Sequence, residues 1–279
     1  MTSRRRSLDP LSFLALPGGV YLGLAFAVPL ALLLLRSIQG ADGLTLASYG
    51  RFLSDPYNLA VIGNTLKLAL LTTAICLLVG YPAAFALAWS GGALQTFLLA
   101  ALFLPLSVSV IVKAFGWTIL LRSNGIVNQL LMAAHLTGEP VRLIFTQLGL
   151  LIGITNIFLP FMILPLFSVV KLIDARLDEA AATLGAGPIH RFLHVTLPLT
   201  LPGIVAGTAL VFSLAVSAYV IPTLLIGDRY QVMSTIIAKS FLFNRNQQVG
   251  STVGVLLLLI AVSVVVASSR LARDRRDRP

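Results

Sequence analysis

Six long apolar runs decide what this chain can become. They cover residues 11–35, 59–89, 93–121, 147–172, 200–222 and 249–268, and each exceeds the 18 or so residues that a membrane span requires. Hydrocarbon offers no hydrogen-bond partners, so a run of this length must satisfy its own backbone and reads as a helix. Composition agrees: 57% of the 279 residues are hydrophobic, 11% are charged and the mean hydropathy is +0.94. A soluble chain carries about 25% charged residues. The expected fold is therefore all-α, with six transmembrane helices in one domain, residues 11–279, behind a basic segment at residues 1–10. The first run follows Arg4, Arg5 and Arg6 as a signal peptide would. Signal h-regions span about 7–15 residues, whereas this run of roughly 25 is long enough to cross and stay. Pro82, Pro105, Pro160 and Pro165 fall inside the runs, where kinks or short unwound turns are expected.

The net charge of +10 raises nucleic acid as a partner. The basic residues cluster at the termini and in loops without the aromatic interleaving of single-strand binders, which excludes that class. They read instead as topology. Six spans put both termini on one side, with Lys171, Arg176 and Arg191 of the central loop and Arg270, Arg273, Arg275, Arg276 and Arg278 at the end. The other side has longer loops but only Arg36, Arg51, Arg122, Arg142, Arg229, Lys239 and Arg245. The positive-inside rule places both ends and the central loop in the cytoplasm.

Catalysis has little to work with. No histidine, aspartate or glutamate lies in a run, and there is no G-x-x-x-x-G-K-[ST] phosphate loop. No catalytic and no metal residues are assigned. The lone Cys76 excludes a disulfide framework and a cysteine metal site. His190 and His194 form an i, i+4 pair without a third ligand and read as a solvated face. Gly19/Gly23, Gly149/Gly153, Gly203/Gly207 and Gly250/Gly254 have the small-xxx-small spacing of close helix crossings, read here as packing within the subunit.

The most polar internal segment, residues 174–198, lies between the fourth and fifth runs. It reads as two short helices. Asp174 suits an N-cap, and Asp178 and Glu179 sit where carboxylates favour the helix dipole. Leu177, Ala180, Ala181 and Leu184 recur on one face. Gly185 and Gly187 can take the positive φ of a helix end, and Pro188 suits the first position of the next helix. Ile189, Phe192, Leu193 and Val195 give that helix an apolar side, and Pro198 and Pro202 are expected to close it. A water-exposed hairpin with an alanine face suits docking into a groove on another protein.

Glu179-Ala180-Ala181, then Gly185, then Val195-Thr196-Leu197-Pro198 resemble the EAA loop of ABC importer permeases in every spacing, with Val195 in place of isoleucine. Asn64–Leu66, Gly80-Tyr81-Pro82, the stretch from Pro105 to Trp117 and that from Tyr219 to Gly227 resemble the spermidine/putrescine branch. The resemblance implies the type I importer permease architecture, with a cytoplasmic coupling loop between helices 4 and 5. It implies a bacterial inner-membrane subunit that is not an enzyme and binds no cofactor itself, ATP and Mg being used by a partner. The implied partners are two ABC ATPase subunits, a second and different permease, and a periplasmic or lipid-anchored binding protein. The implied ATPase-docking residues are Asp178, Glu179, Ala180, Ala181, Leu184, Gly185, Ala186, Pro188, Leu197 and Pro198.

Cargo is less constrained. Lys67 and Lys113 lie within runs, either as interfacial anchors or as path residues, and the resemblance places a basic residue near Lys113. Uncharged candidates for the path are Ser107, Ser109, Thr155, Asn156, Ser213, Ser217 and Tyr219, of which Asn156, Ser213, Ser217 and Tyr219 join Lys113 as the main set. A polycation should meet carboxylates in a low-dielectric path, and the runs contain none. Either a partner subunit carries the acids or the cargo is not a polycation, and the resemblance implies a small organic solute, namely a polyamine, an opine, a phosphonate or similar. An ion-gradient-driven transporter or half-transporter is the alternative.

Overall fold

The structure, a computed structural model, describes residues 10–40 and 43–274. Arg4, Arg5, Arg6, Arg275, Arg276 and Arg278 lie outside the described residues.

Among the described residues, five helices are long and apolar enough to span: α1 (Pro10–Ile38), α3 (Pro56–Trp89), α7 (Gln147–Val170), α10 (Leu197–Ser217, continuous with the turns before it) and α13 (Gln247–Asp274). A short strand pair, β1 (Gln39–Gly40) and β2 (Gly43–Leu44), and α2 (Ala47–Ser54) link α1 to α3. The start of α3 is fixed locally: Asp55 Oδ1 accepts the Tyr57 N–H at 2.9 Å and Pro56 takes the first helical position. At 1.5 Å per residue its 34 residues reach about 50 Å, well beyond a hydrocarbon core of about 30 Å. The Trp89 end therefore stands clear of the bilayer centre.

The third expected span is broken. Residues 93–121 form α4 (Gly92–Ser107) and α5 (Val110–Leu120), bent by 101°. Pro105 cannot donate into the helix ladder, and Val108 and Ser109 turn extended after it. The Ser109 hydroxyl then accepts the Ile111 N–H at 3.3 Å and starts α5 afresh. Pro82, Pro160 and Pro165 produce no unwound turn: α3 and α7 run through them.

The core is the packing of α3, α7 and α10. Leu150, Ile154, Met162 and Leu166 of α7 are fully buried against Ala69 and Cys76 of α3 and Val211 of α10. Glycines set the approach. A Cβ on Gly207 would lie 2.7 Å from Met162 Sδ, and one on Gly203 would lie 3.2 Å from the Leu166 Cα. Gly149 and Gly153 meet Leu143 and Leu225, and Gly250 meets Phe241. A Cβ on Gly19 or Gly23 would meet nothing beyond its own helix within 4 Å among the described residues, because α1 lies outside the core against α13 with Tyr21, Leu22 and Phe26 exposed.

At the end of the spans away from the 174–198 segment lie three short helices, α6 (Ile126–Ala133), α11 (Val220–Leu225), which packs on α5 and α7, and α12 (Met233–Leu242), which packs on α13. The motif at Asn64–Leu66 anchors the start of α12. Thr65 Oγ1 accepts the Met233 N–H at 2.9 Å, the Tyr230 hydroxyl donates to the Asn64 carbonyl at 3.0 Å, and Asn64 Nδ2 donates to the Gln231 carbonyl at 3.3 Å.

Candidate functional site

Segment 174–198 is a helical hairpin. Its first arm is α8 (Ala175–Thr183), capped as its sequence predicts: Asp174 Oδ1 accepts the Arg176 N–H at 3.0 Å. The arm ends in a paired-bond turn. The Gly185 N–H donates to the Ala182 carbonyl at 3.0 Å and the Ala186 N–H to the Ala181 carbonyl at 3.1 Å. This Schellman geometry needs a left-handed residue between the two bonds, and Gly185 supplies it with φ +82°. Gly187 does not share that duty: at φ −66° and ψ 163° it is an extended N-cap for α9 (Pro188–Arg191).

The second arm does not close at Pro198 and Pro202. After α9 comes one π-helical turn, Phe192–Thr196, and then α10 without a break, so one apolar helix runs from Pro188 to Ser217. In a regular helix, Pro198 would leave the His194 carbonyl without a donor and press its ring on it. The wider turn shifts the register, with the Leu197 N–H bonding the Phe192 carbonyl, and the prolines are absorbed. The hairpin is thus fused to a span instead of tethered to one.

Two interactions hold its arms. Arg191 Nη1 donates to Asp178 Oδ2 at 2.6 Å and reaches the Asp178 carbonyl at 3.5 Å. At the root, the Tyr81 hydroxyl and Thr200 Oγ1 are hydrogen-bonded at 2.9 Å, tying α3 to α10. The tip is apolar and uncovered: Leu184 is 88% and Ile189 75% exposed. Ala180, Glu179, Pro188 and Pro198 are exposed, and Asp178, Ala181, Ala186 and Leu197 half-buried. Glu179 has no hydrogen-bond or ion-pair partner among the described residues. His190 and His194 stack at 3.9 Å on the exposed side.

The path candidates gather less tightly. Lys113 is half-buried on α5. Asn156 on α7 is exposed and its Oδ1 accepts from Trp117 Nε1 at 3.2 Å, joining α5 to α7. Ser213 and Ser217 donate back into α10, to the Ala209 and Ser213 carbonyls at 2.8 and 2.9 Å, and keep only acceptor capacity. Ser107 and Ser109 are exposed at the α4–α5 bend, and Thr155 Oγ1 is buried without a partner among the described residues. Lys67 is exposed on α3.

Tyr219 belongs to a cavity of about 370 Å³ between α11 and α12, with Asp228, Gln231 and Lys239. Lys239 Nζ donates to Asp228 Oδ1 at 2.6 Å, and Gln231 Nε2 donates to the same oxygen at 3.1 Å. These donors hold the Asp228 carboxyl below its ordinary range, with the Lys239 hydrogen bond the largest cause. Sequence reasoning missed this cluster, whose members meet only through tertiary structure. It also missed the ring row Tyr81, Phe85 and Trp89, although the four-residue spacing announces one helix face.

The model for the binding-protein-dependent transport system inner membrane component family matches residues 76–278. The spermidine/putrescine transport system permease protein PotB of Haemophilus influenzae is 35% identical over 247 residues, 86% of each chain. PotB of Escherichia coli is 32% identical over 229 residues, 82% of this chain and 83% of its own. In fold the chain is similar to a bacterial ABC transporter involved in the import of the acidic polysaccharide alginate. The TM-score is 0.75 at 19% identity, covering 95% of this chain and 96% of that one.

Proposed function

Because the chain belongs to the family of binding-protein-dependent transport system inner membrane components, we propose that its 174–198 hairpin is the coupling element through which partner ATPases drive transport. The chain is a multi-pass inner-membrane permease subunit of an ABC importer and not an enzyme. Its cargo is a small organic solute of the polyamine type, the cargo named for its PotB relatives.

One observation carries the coupling role. An exposed apolar tip, shaped by the positive φ of Gly185, is continuous through a π turn with a 30-residue helix into the membrane. Force on the tip therefore tilts α10, and the Tyr81–Thr200 bond passes that tilt to α3. Glu179, with no partner among the described residues, meets the ATPase groove; Ala180 and Ala181 permit close approach, with Asp178, Leu184, Ala186, Pro188, Leu197 and Pro198 around them. ATP and Mg are used by the two ATPase subunits. A second, different permease completes the path, and a periplasmic or lipid-anchored binding protein delivers cargo to the opposite face. The hairpin and both termini lie in the cytoplasm. Transport is then a shift between inward- and outward-facing populations, driven from a site on another chain.

The test compares Gly185→Val and Glu179→Lys with wild type in membranes, measuring uptake and ATPase pull-down at equal permease levels. Both variants are expected to lose uptake while inserting normally. Unchanged uptake and unchanged ATPase association in both would remove the hairpin from the mechanism.

A further inference from the structure

Two of the apolar runs break, one after Ser107 and one after Ser217, and the fold treats the breaks differently. α10 ends at Ser217, Ala218 turns extended, and α11 starts at Val220. The Ala218 carbonyl, freed by this turn, accepts the Ser234 hydroxyl at 2.6 Å. α4 ends at Ser107, Val108 and Ser109 turn extended, and α5 starts at Val110. There the Val108 N–H bonds back to the Pro105 carbonyl at 3.2 Å, and the Ile111 N–H is taken by the Ser109 hydroxyl at 3.3 Å. Among the described residues, the carbonyls of Leu106, Ser107 and Val108 accept from no donor. Ser107, Val108 and Ser109 are all exposed.

Lipid cannot cover such a stretch. The 16 residues of α4 reach about 24 Å, so the break falls within a hydrocarbon core of about 30 Å. Unpaired backbone at that depth persists only against protein or along a water-filled path. The same carbonyls close α4, where the helix dipole adds negative potential. They need hydrogen-bond donors and favour positive charge. A primary ammonium group supplies both, with three N–H donors on a compact head. An anion supplies neither.

This also removes a conflict over cargo. The apolar runs hold no carboxylate for a polyamine-type solute, but a cation at membrane depth is also met by backbone carbonyls. Broken helices in transporters present such carbonyls to cations. We propose that the α4–α5 break is a cargo site, in which the carbonyls of Leu106, Ser107 and Val108 take an ammonium group of an alkylamine. The site rests on the polyamine-type cargo reading above. Lys113 lies one turn further on, its N–H bonded to the Ser109 carbonyl at 3.0 Å. Its like charge keeps the hold weak enough for release.

The test reads a carbonyl directly, in the full chain in lipid nanodiscs. Isotope labels at valine carbonyls and serine amide nitrogens mark three peptide bonds, Val108–Ser109, Val216–Ser217 and Val262–Ser263. Val108→Ile removes the first signal and so assigns it. In solid-state NMR, spermidine should shift the Val108 carbonyl saturably and leave that of Val262 in place. Tetramethylammonium, which has charge but no N–H, should not reproduce the shift, and neither should magnesium at matched ionic strength. Lys113→Met should tighten the spermidine response several-fold. A Val108 carbonyl that stays silent, that answers tetramethylammonium equally, or that is already hydrogen-bonded before amine is added would overturn the site. Uptake of labelled spermidine by membranes bearing the transporter separates the two readings. Uptake with a silent Val108 carbonyl removes the site and keeps the cargo. A saturable response to methylammonium without spermidine uptake keeps the site and removes the cargo reading instead.

Discussion

Arg191 crosses the hairpin to Asp178 at 2.6 Å, joining two arms whose residues lie thirteen apart in sequence. Its side chain is 25% exposed and that of Asp178 is 51% exposed. Water therefore screens the pair, and its contribution to stability is small, about 1 kcal/mol or less. Its value is geometric. It fixes the angle at which the tip leaves α10.

Removing that strap should separate coupling from folding. Arg191→Met is expected to leave expression and thermal stability near wild type while lowering uptake several-fold at saturating ATP. The exchange Asp178→Arg with Arg191→Asp should restore part of the loss. A double-mutant cycle on uptake measures it, and zero coupling energy between the two positions would show that the strap is decorative.

Gly185 tests the turn itself. Among the described residues nothing lies within 4 Å of a Cβ built there, so substitution meets no clash with them and its cost is backbone strain. At φ +82° a β-branched residue pays about 1–2 kcal/mol. Gly185→Val should therefore open the turn, whereas Gly185→Asn should keep most uptake because asparagine tolerates this region. Equal uptake in the two variants would mean that the positive φ is not required.

The glycine pairs predict a graded series. A Cβ at Gly149 would collide with the Leu143 backbone carbonyl, which cannot rotate away. At Gly207 the first obstacle is the end of the flexible Met162 side chain. Gly149→Ala should cost about 2 kcal/mol or more and Gly207→Ala less, while Gly19→Ala should leave unfolding of the isolated subunit unchanged. Thermal unfolding in detergent ranks the three.

The Asp228–Lys239 pair sets a pH response on the opposite face. Hydrogen bonds from Lys239 and then Gln231, with the Lys239 charge, hold the Asp228 carboxyl below its ordinary 3.8. A carboxylate whose folded value is depressed stabilises the fold above the unfolded value and loses that contribution as pH falls through the folded one. Hydrogen exchange in the first turn of α12 should thus be constant from about pH 8 to 5, after correction for intrinsic rates, and accelerate only below about 4. Lys239→Met removes the largest cause of the depression and should flatten that acid response, with exchange there already faster at neutral pH.

What the sequence made legible was local. The Asp174 cap, the Gly185 turn and the Pro188 start each depend on a few neighbouring residues, and all three occur as expected. The prolines were harder. Pro105 ends a helix because α5 can dock on α7 and α11 once turned, whereas Pro198 ends nothing because a π turn reroutes one hydrogen bond. Both look alike in sequence; the difference lies in what the chain packs against. Asp228 was passed over for the same reason, since Gln231 and Lys239 reach it only when the loop folds back.

Thr65 makes the last case, because its role joins a sequence motif to a buried backbone group. Its hydroxyl donates to the Val61 carbonyl at 2.8 Å and accepts the Met233 N–H at 2.9 Å, and it is 1% exposed. Thr65→Val preserves shape but leaves the Met233 N–H buried and unpaired, a loss of about 1–3 kcal/mol. Thr65→Ser retains both bonds and should cost less. The pairing lies where α12 begins, so Thr65→Val should also speed exchange across residues 230–235 more than elsewhere in the chain. Uniform destabilisation with no local effect there would mean that Thr65 serves general packing and does not hold the start of α12.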